Sequence, residues 1–177
     1  MKVNIKKLHK DAVVPFKTYD SDFCYDLVAV SEEEIAPNVW KYGLGIALQI
    51  DRANSEVLRI RDSIKKVELD GCELTVRGTS IVDLKDAPIN LSIDLRPRSS
   101  IYKTGMVMAN SQATIDENYN GEIFLVFYHV LPNMPRYKVG NAIAQMKIGT
   151  TFPINFVEVK ELSKTDRNDG GFGHTGT

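Results

Sequence analysis

The sequence predicts an all-β domain, a sandwich or barrel built from many short strands. In LGIALQI (44–50) apolar residues alternate with small or polar ones, a period of two that is typical of half-buried strands. Turn signals such as Asp70-Gly71 separate the apolar segments, and no window keeps a helical apolar stripe for three turns. The 177 residues, of which 43% are apolar, are enough for one domain with a sizeable core.

The elements follow one another along the chain. SEEEIAP (31–37) begins like a capped helix, but Pro37 follows so closely that at most one helical turn is expected. NLSIDLR (90–96) alternates and should be half buried, whereas the continuous apolar run IFLVFYHV (123–130) predicts a strand covered on both faces. Two further strands are expected in IAQMKI (143–148) and INFVEVK (154–160).

A stretch at about 51–90 departs from this pattern because it is dense in charge. It contains VELDGCEL, whose Asp70-Gly71 pair is a strong signal for a two-residue hairpin turn. We expect a hairpin-containing insertion in a β domain that spans residues 1–160.

The composition excludes several classes of protein. Lysine and arginine number 22 against 23 acidic residues, so no overall field attracts nucleic acid or anionic lipid. The two cysteines and three histidines lack the spacing of a metal site or a disulfide framework. The N-terminus has no signal-like apolar region, and no run approaches the ~18 residues of a membrane span. We expect a soluble cytoplasmic protein with neither nucleic acid nor membrane as partner.

RPRSSIYKTG (96–105) follows a predicted strand directly. Arg96, Arg98, two hydroxyls and Lys103 gather hydrogen-bond donors where a strand gives way to a turn or short helix. The segment therefore predicts either a phosphate site or a capped turn with solvated basic residues.

NSQATIDENYNGE (110–122) resembles a hairpin that carries a carboxylate, Asp116, and an aromatic ring, Tyr119, near its tip. By itself such an aspartate is more often a turn residue than a catalytic one. Farther along, the alternation in VGNAIAQMKIG (139–149) directs Gln145 away from the apolar face of its strand.

The C-terminal segment DRNDGGFGHTGT places four of the twelve glycines in the last eight residues, beside Phe172 and after Arg167. Its glycines expose N–H groups as a phosphate loop does, but the Lys-Ser/Thr ending of a P-loop is missing. Taken alone, it would be a disordered terminus.

Together, five segments resemble, in order, the five motifs of the trimeric all-β dUTPases. They are FCYDLVA (23–29), PRSSIYKTG (97–105), ANSQATIDENYNGE (109–122), VGNAIAQM (139–146) and DRNDGGFGHTG (166–176). The resemblance implies a jelly-roll-like β domain that forms a homotrimer with three active sites, each shared by all three chains. It also implies hydrolysis of dUTP to dUMP and pyrophosphate, which supplies dUMP for dTTP synthesis and keeps uracil out of DNA.

The resemblance also implies roles for residues of the third motif. Asp116 matches the general base that deprotonates the water attacking the α-phosphorus. Tyr119 matches the ring against the deoxyribose, where a 2′-hydroxyl would collide. Asn110, Ala113 and Ile115 belong to the segment that reads the uracil edge by hydrogen bonds.

The phosphate chain is implied to contact Arg98, Ser99, Ser100 and Gln145. Mg²⁺ is the implied cofactor, held by the triphosphate and water rather than directly by the protein. Asp26 matches the acid that lies near this magnesium through water or buttresses the site.

Residues 161–177 match the mobile arm that closes over a neighbouring chain's site, and a dozen extended residues can reach ~40 Å. Arg167 is implied to contact the phosphates as an arginine finger that offsets their charge, and the Phe172 ring is implied to stack on the uracil ring. Gly173, His174 and Thr175 complete the implied contacts of the arm.

Four departures from the family pattern stand out. Ala142 occupies the place of the usual arginine of the fourth motif, so a salt bridge or phosphate contact is expected to be missing. Ala113 replaces a glycine, which would be strained by ~1 kcal/mol if that position needs positive φ. The second motif reads RSS rather than RSG, and the first reads FCYDL rather than AGYDL.

Two alternatives stay open. The sister family of dCTP deaminases needs a glutamate on the strand after the third motif, where Val126 stands here. The other alternative is a catalytically weak, nucleotide-binding regulatory trimer that docks a protein partner. The 51–90 insertion is either an extra hairpin packed on its own subunit or an element that docks a partner or caps the trimer.

Overall fold

The computed structural model describes residues 1–59, 65–69, 72–76, 80–83, 89–165 and 168–169. This part of the chain forms β-strands and two short 3₁₀ turns (Arg52–Asn54 and Ser99–Lys103) and holds no α-helix. The strands are β1 (Lys2–Lys7), β2 (Tyr25–Val28), β3 (Ser31–Ala36), β4 (Val39–Gly43), β5 (Ile46–Asp51), β6 (Glu56–Arg59), β7 (Lys65–Leu69), β8 (Cys72–Val76), β9 (Ser80–Asp83), β10 (Asn90–Pro97), β11 (Met106–Met108), β12 (Ala113–Asp116), β13 (Phe124–His129) and β14 (Ala142–Thr151). The predicted all-β class is confirmed.

Two four-stranded antiparallel sheets enclose a common core. Sheet I has the strand order β12-β10-β14-β2, and sheet II has the order β11-β13-β4-β3. Strand β5 pairs with β1 and adds its own apolar row to this core. The buried rows come from alternating positions, as in Leu91, Ile93 and Leu95 of β10. This alternation is the pattern that the sequence predicts for half-buried strands.

The outer face of sheet I is polar, and this face carries the candidate site. In β10, Ser92, Asp94 and Arg96 alternate with the core residues and lie on the opposite face. In β14, Ala144 and Met146 are buried while Gln145 is partly exposed, as predicted. The sheet therefore anchors its inner face in the core and presents functional groups on the other.

The predictions for two segments, a helical turn at 31–37 and a strand at 154–160, are wrong. SEEEIAP forms the edge strand β3, because its backbone pairs with β4. Glu33 is exposed and pairs with Lys41 at 2.7 Å, whereas Glu32 is half-buried and pairs with Arg136 at 3.0 Å. Residues 154–160 form no strand, and Phe156 and Val157 in this segment are more than 70% exposed. A strand needs a hydrogen-bonding partner, and the described chain offers none to this segment.

The apolar run at 123–130 does form β13, but only one of its faces is covered within the chain. Leu125 and Phe127 are buried in the core, whereas Phe124 and Tyr128 are 42% and 47% exposed. The prediction of cover on both faces is therefore wrong for the single chain. An antiparallel strand can leave one face outward.

The described part of the insertion after the 3₁₀ turn forms two ladders. Strand β6 pairs with β9, and β7 pairs antiparallel with β8, with Leu69 opposite Cys72 on either side of residues 70–71. These ladders are two-stranded and belong to neither sheet I nor sheet II.

Candidate active site

Three neighbouring strands of sheet I bring a basic, an amide and an acidic residue side by side. The register places Arg96 of β10 opposite Gln145 of β14, and Gln145 opposite Asp26 of β2. Adjacent strands are about 5 Å apart, so the three side chains form one row across the outer face. The row lies at the end of β10 that leads into the second motif.

An ion pair holds the end of this row. Arg98 Nε lies 3.0 Å from Asp26 Oδ1, and the Asp26 side chain is only 13% exposed. Arg98 immediately precedes the 3₁₀ turn that begins at Ser99, so the strand-to-turn transition predicted for this segment is confirmed. The carboxylate fixes the direction of the guanidinium while leaving part of it accessible.

These residues line a cavity of about 610 Å³, here called the polar cleft. Gln145 Nε2 donates to the Pro97 carbonyl at 3.4 Å, which orients the amide. The walls of the cleft are Lys17, Thr18, Tyr19, Asp22, Phe23, Cys24, Asp26, Arg96, Arg98, Ser99 and Gln145. The structure thus brings together residues of the first, second and fourth motifs. Ser100 follows Ser99 in the turn and is half-buried.

The third motif lies in the long loop between β11 and β13. These two strands pair antiparallel, and Ala109 N donates to Val126 O at 2.9 Å. Inside the loop, β12 leaves this pair and joins β10 of sheet I instead. The strands that flank the loop, β11 and β13, thus form a hairpin in sheet II, while β12 inside the loop pairs with sheet I.

Asp116 ends β12 opposite Ser92, with its side chain exposed. A turn follows in which Tyr119 N donates to the Asp116 carbonyl at 3.0 Å. The Tyr119 hydroxyl donates to Glu122 O at 2.9 Å, so the ring lies over Gly121. A Cβ at Gly121 would lie 2.4 Å from that hydroxyl, which explains the glycine. Asp116 and Tyr119 line one cavity of about 240 Å³, together with Ile115.

A feature that the sequence analysis missed supports this turn. Arg52, in the 3₁₀ turn at the start of the insertion, forms a two-point ion pair with Glu117, and Arg52 Nη2 lies 2.6 Å from Glu117 Oε2. Arg52 Nη2 also donates to Ile89 O at 2.7 Å, and Glu117 accepts a bond from Leu91 N at 3.3 Å. The Arg52 hydrogen bond is the main reason that the pKa of Glu117 is lowered. No local signal could reveal a pair that is separated by 65 residues.

The two alanine departures have different consequences. Ala113 is buried at the start of β12 opposite Leu95, and its φ is not positive, so the strain considered for this position does not arise. Ala142 begins β14 opposite Val28, next to a register shift between Ala142 and Ala144. Its methyl group offers no charge to the cleft.

Within one chain, the polar cleft and the Asp116 turn are separate. Asp116 lies opposite Ser92 and Gln145 opposite Arg96, and four residues of β10 span about 13 Å. No residue lines both the polar cleft and the cavity at Asp116. Asn110 is exposed in the loop before β12. Arg167, Phe172, Gly173, His174 and Thr175 lie outside the described residues.

Two further observations concern metals and membranes. In the described ranges, no three histidine, cysteine, aspartate or glutamate side chains group closely enough to hold a metal ion. Asp26 is a carboxylate in the polar cleft, and its charge is already paired with Arg98. None of the described segments is a helix of the length and apolar character needed to cross a membrane.

The comparisons with known proteins agree with one another. The profile of the dUTPase family matches residues 74–176, more than half of the chain. A deoxyuridine 5′-triphosphate nucleotidohydrolase of a Hydrogenobaculum species is 32% identical over 99% of both chains. The protein of the same name from Clostridium kluyveri is 30% identical over 100% of this chain and 99% of the relative, so the insertion falls within the matched length.

Solved structures share the fold at low sequence identity. A mutant dUTPase of Staphylococcus bacteriophage 80alpha with dUpNHpp superposes with a TM-score of 0.67 at 17% identity and covers 99% of each chain. A dUTPase of Staphylococcus aureus phage phi11, described as coordinating a structural Mg(II) ion, has a TM-score of 0.60 at 14% identity and covers 93% of this chain and 100% of that one. The family profile and the full-length relatives place this chain in the dUTPase family.

Proposed function

We propose that this chain hydrolyses dUTP to dUMP and pyrophosphate, the activity named for its relatives. The observation that carries the proposal is the row of Arg96, Gln145 and Asp26 with the Asp26–Arg98 pair, because it joins three motifs in one cleft. Oriented guanidinium and amide donors are suited to phosphate oxygens.

The site is proposed to form between chains of a homotrimer. One chain holds the polar cleft and the Asp116 carboxylate apart, so a second copy must present its own Asp116 turn to the cleft. The exposed apolar residues at 152–162 support association, because a contiguous set of such side chains is unusual on a monomer. The proposed arm, residues 161–177, then closes over the site with Arg167 and Phe172.

In this mechanism Asp116 acts as general base on the attacking water. Its carboxylate is exposed and stands at the end of a strand, next to the braced Glu117, so its position is fixed while its oxygens stay accessible. Arg98, oriented by Asp26, and Gln145, oriented by the Pro97 carbonyl, bind the triphosphate oxygens. Tyr119 lies against the sugar, and Asn110 lies in the segment that faces uracil.

Mg²⁺ is proposed as the cofactor, supported by the family and by the description of the phi11 structure. When bound to the triphosphate, the ion neutralises phosphate charge during the displacement. The triphosphate and water would hold the ion, and Asp26, a carboxylate of the cleft, would contact it through water. The described residues fit this outer-sphere role rather than a protein metal cage.

The test is pyrophosphate release from dUTP with Mg²⁺, compared between the wild-type protein and Asp116→Asn. We expect the variant to bind dUMP normally and to lose about 10²–10⁴-fold in kcat, the usual contribution of a general base. Equal turnover in the two proteins would remove Asp116 from the mechanism. No release by the wild-type protein would contradict the proposed activity itself.

A further inference from the structure

Arg96 stands out in the polar cleft because its charge has no partner there. Its Nε is buried and makes no hydrogen bond within the described part of the chain. The carboxylates around it are engaged elsewhere: Asp26 pairs with Arg98 at 3.0 Å, and Asp94 pairs with Lys147 at 2.6 Å. The guanidinium therefore lines the cleft without an ion pair of its own to any described residue.

A buried donor without an acceptor is unfavourable, so such a group calls for an explanation. In β10, Asp94 and Arg96 lie on the same face, and the Asp94 carboxylate instead bonds Ser92 Oγ at 2.8 Å and Lys147 Nζ. Burial raises the pKa of Asp94, but the hydrogen bonds from Lys147 and Ser92 together with the charges of Lys147 and Arg96 lower it below its usual value. Arg96 thus acts on Asp94 through its charge and forms no ion pair with it. The fold thus satisfies Asp94 through other groups and leaves Arg96 available.

The other charged side chains of the cleft have contacts of their own. Lys17 Nζ lies 4.8 Å from the centre of the Tyr25 ring, and the Asp22 carboxylate accepts a hydrogen bond from Tyr19 N at 2.9 Å. Ala142 brings no charge to β14. Among the described residues of the cleft, Arg96 is therefore the guanidinium that forms no ion pair with a carboxylate.

We propose that Arg96 binds the phosphates of the nucleotide beyond the α-phosphate and so selects triphosphates over monophosphates. The inference rests on the proposed function. Because Asp116 of one chain does not line its own cleft, the α-phosphorus must lie where the second chain's Asp116 turn meets the cleft, and the phosphates beyond it extend into the cleft toward Arg96. A planar guanidinium matches two phosphate oxygens at once, and the register with Gln145 sets an amide donor beside it.

The experiment measures binding of two probes by calorimetry in the presence of Mg²⁺: dUMP and a non-hydrolysable α,β-imido analogue of dUTP. We expect Arg96→Met to bind the analogue about 10- to 100-fold more weakly, the effect of one charge-assisted contact, and to bind dUMP as the wild type does. Arg96→Lys keeps the charge but not the two-point geometry, so its affinity for the analogue should lie between those of the wild type and Arg96→Met. Lys6→Met, exposed on β1, is the matched control and should change neither affinity.

Unchanged affinity of Arg96→Met for the analogue, or equal losses for the analogue and dUMP, would overturn the proposal. If Arg96→Met does not fold, as judged by its thermal transition, the same two affinities of Arg96→Lys decide the question by the same criterion. Failure of the wild-type protein to bind either probe would contradict the proposed function instead, so the two failures are distinguishable.

Discussion

At the scale of single residues, two adjacent carboxylates of the candidate site have different environments. Glu117 is held by Arg52 and by the Leu91 backbone, with a side chain 27% exposed. Asp116 beside it is exposed at the end of β12. One carboxylate can therefore fix the turn while the other stays accessible to water and substrate, a division of roles that sequence proximity alone does not reveal.

We expect Glu117→Gln to lower the free energy of unfolding by about 1–3 kcal/mol, because Arg52 then keeps a partly buried charge with a weaker partner. Its kcat should fall about tenfold, since the turn that aims Asp116 loses its brace. Urea unfolding and steady-state turnover measure the two effects. The control is Glu33→Gln, which breaks the exposed pair with Lys41 and should cost no more than about 0.5 kcal/mol. Equal losses in both variants would contradict this role of Glu117.

The same contacts predict a pH dependence of stability. The pKa of Glu117 is lowered mainly by the Arg52 hydrogen bond, and that of Glu32 mainly by the Arg136 hydrogen bond. As pH falls below about 4.5, the unfolded chain therefore binds more protons than the folded chain does. The stabilisation that the two charged glutamates provide above that pH is then lost. The thermal midpoint should decline on acidification from pH 6 to about pH 3, and less steeply in Glu117→Gln. If the thermal midpoints of the wild type and Glu117→Gln declined in parallel, Glu117 would not contribute to the pH dependence of stability.

At the scale of elements, the alternation in the sequence predicts the central strands well. The rows in β5, β10 and β14 bury the residues expected from their period of two. Predictions fail where pairing overrides local preference: 31–36 becomes an edge strand despite its helix-like start, and 154–160 has no strand to pair with. Local sequence does not encode which neighbour a backbone will meet.

The insertion offers a test at this scale. Glu56 and Asp83 face each other at the base of the β6–β9 ladder, so a two-residue Gly-Ser link in place of residues 56–83 should close the gap. We expect the shortened protein to keep turnover within about twofold, because Arg52 and Ile89 remain to brace Glu117. Turnover and oligomer size are measured together.

A smaller oligomer in the shortened protein would assign the insertion to assembly, and a loss of turnover would assign it to catalysis. Retention of both would leave it free to dock a protein partner. A shift of the Arg52–Glu117 contact is excluded as the cause if Glu117→Gln lowers stability and kcat in the shortened chain as much as in the full chain.

At the scale of the whole molecule, the candidate site is only partly predictable from the sequence. The motifs identify Asp26, Arg98 and Gln145, and the fold brings these three together. The sequence does not indicate that Arg96 lacks a partner or that Arg52 reaches Glu117, because both depend on register and on contacts across the fold. The placement of the polar cleft and Asp116 at opposite ends of β10 follows from sheet pairing alone.

The central claim is that one chain's Asp116 acts on a nucleotide held in another chain's polar cleft. Co-expression of differently tagged Asp116→Asn and Arg98→Ala chains, followed by tandem purification of mixed oligomers, tests it most directly. Each variant alone should be inactive. In a mixed trimer of either composition, one of the three sites should combine an intact Asp116 with an intact Arg98, so the purified mixed oligomers should regain about one third of the wild-type pyrophosphate release. A mixed oligomer as inactive as its parents would contradict the account, since it would place both groups of every site on a single chain.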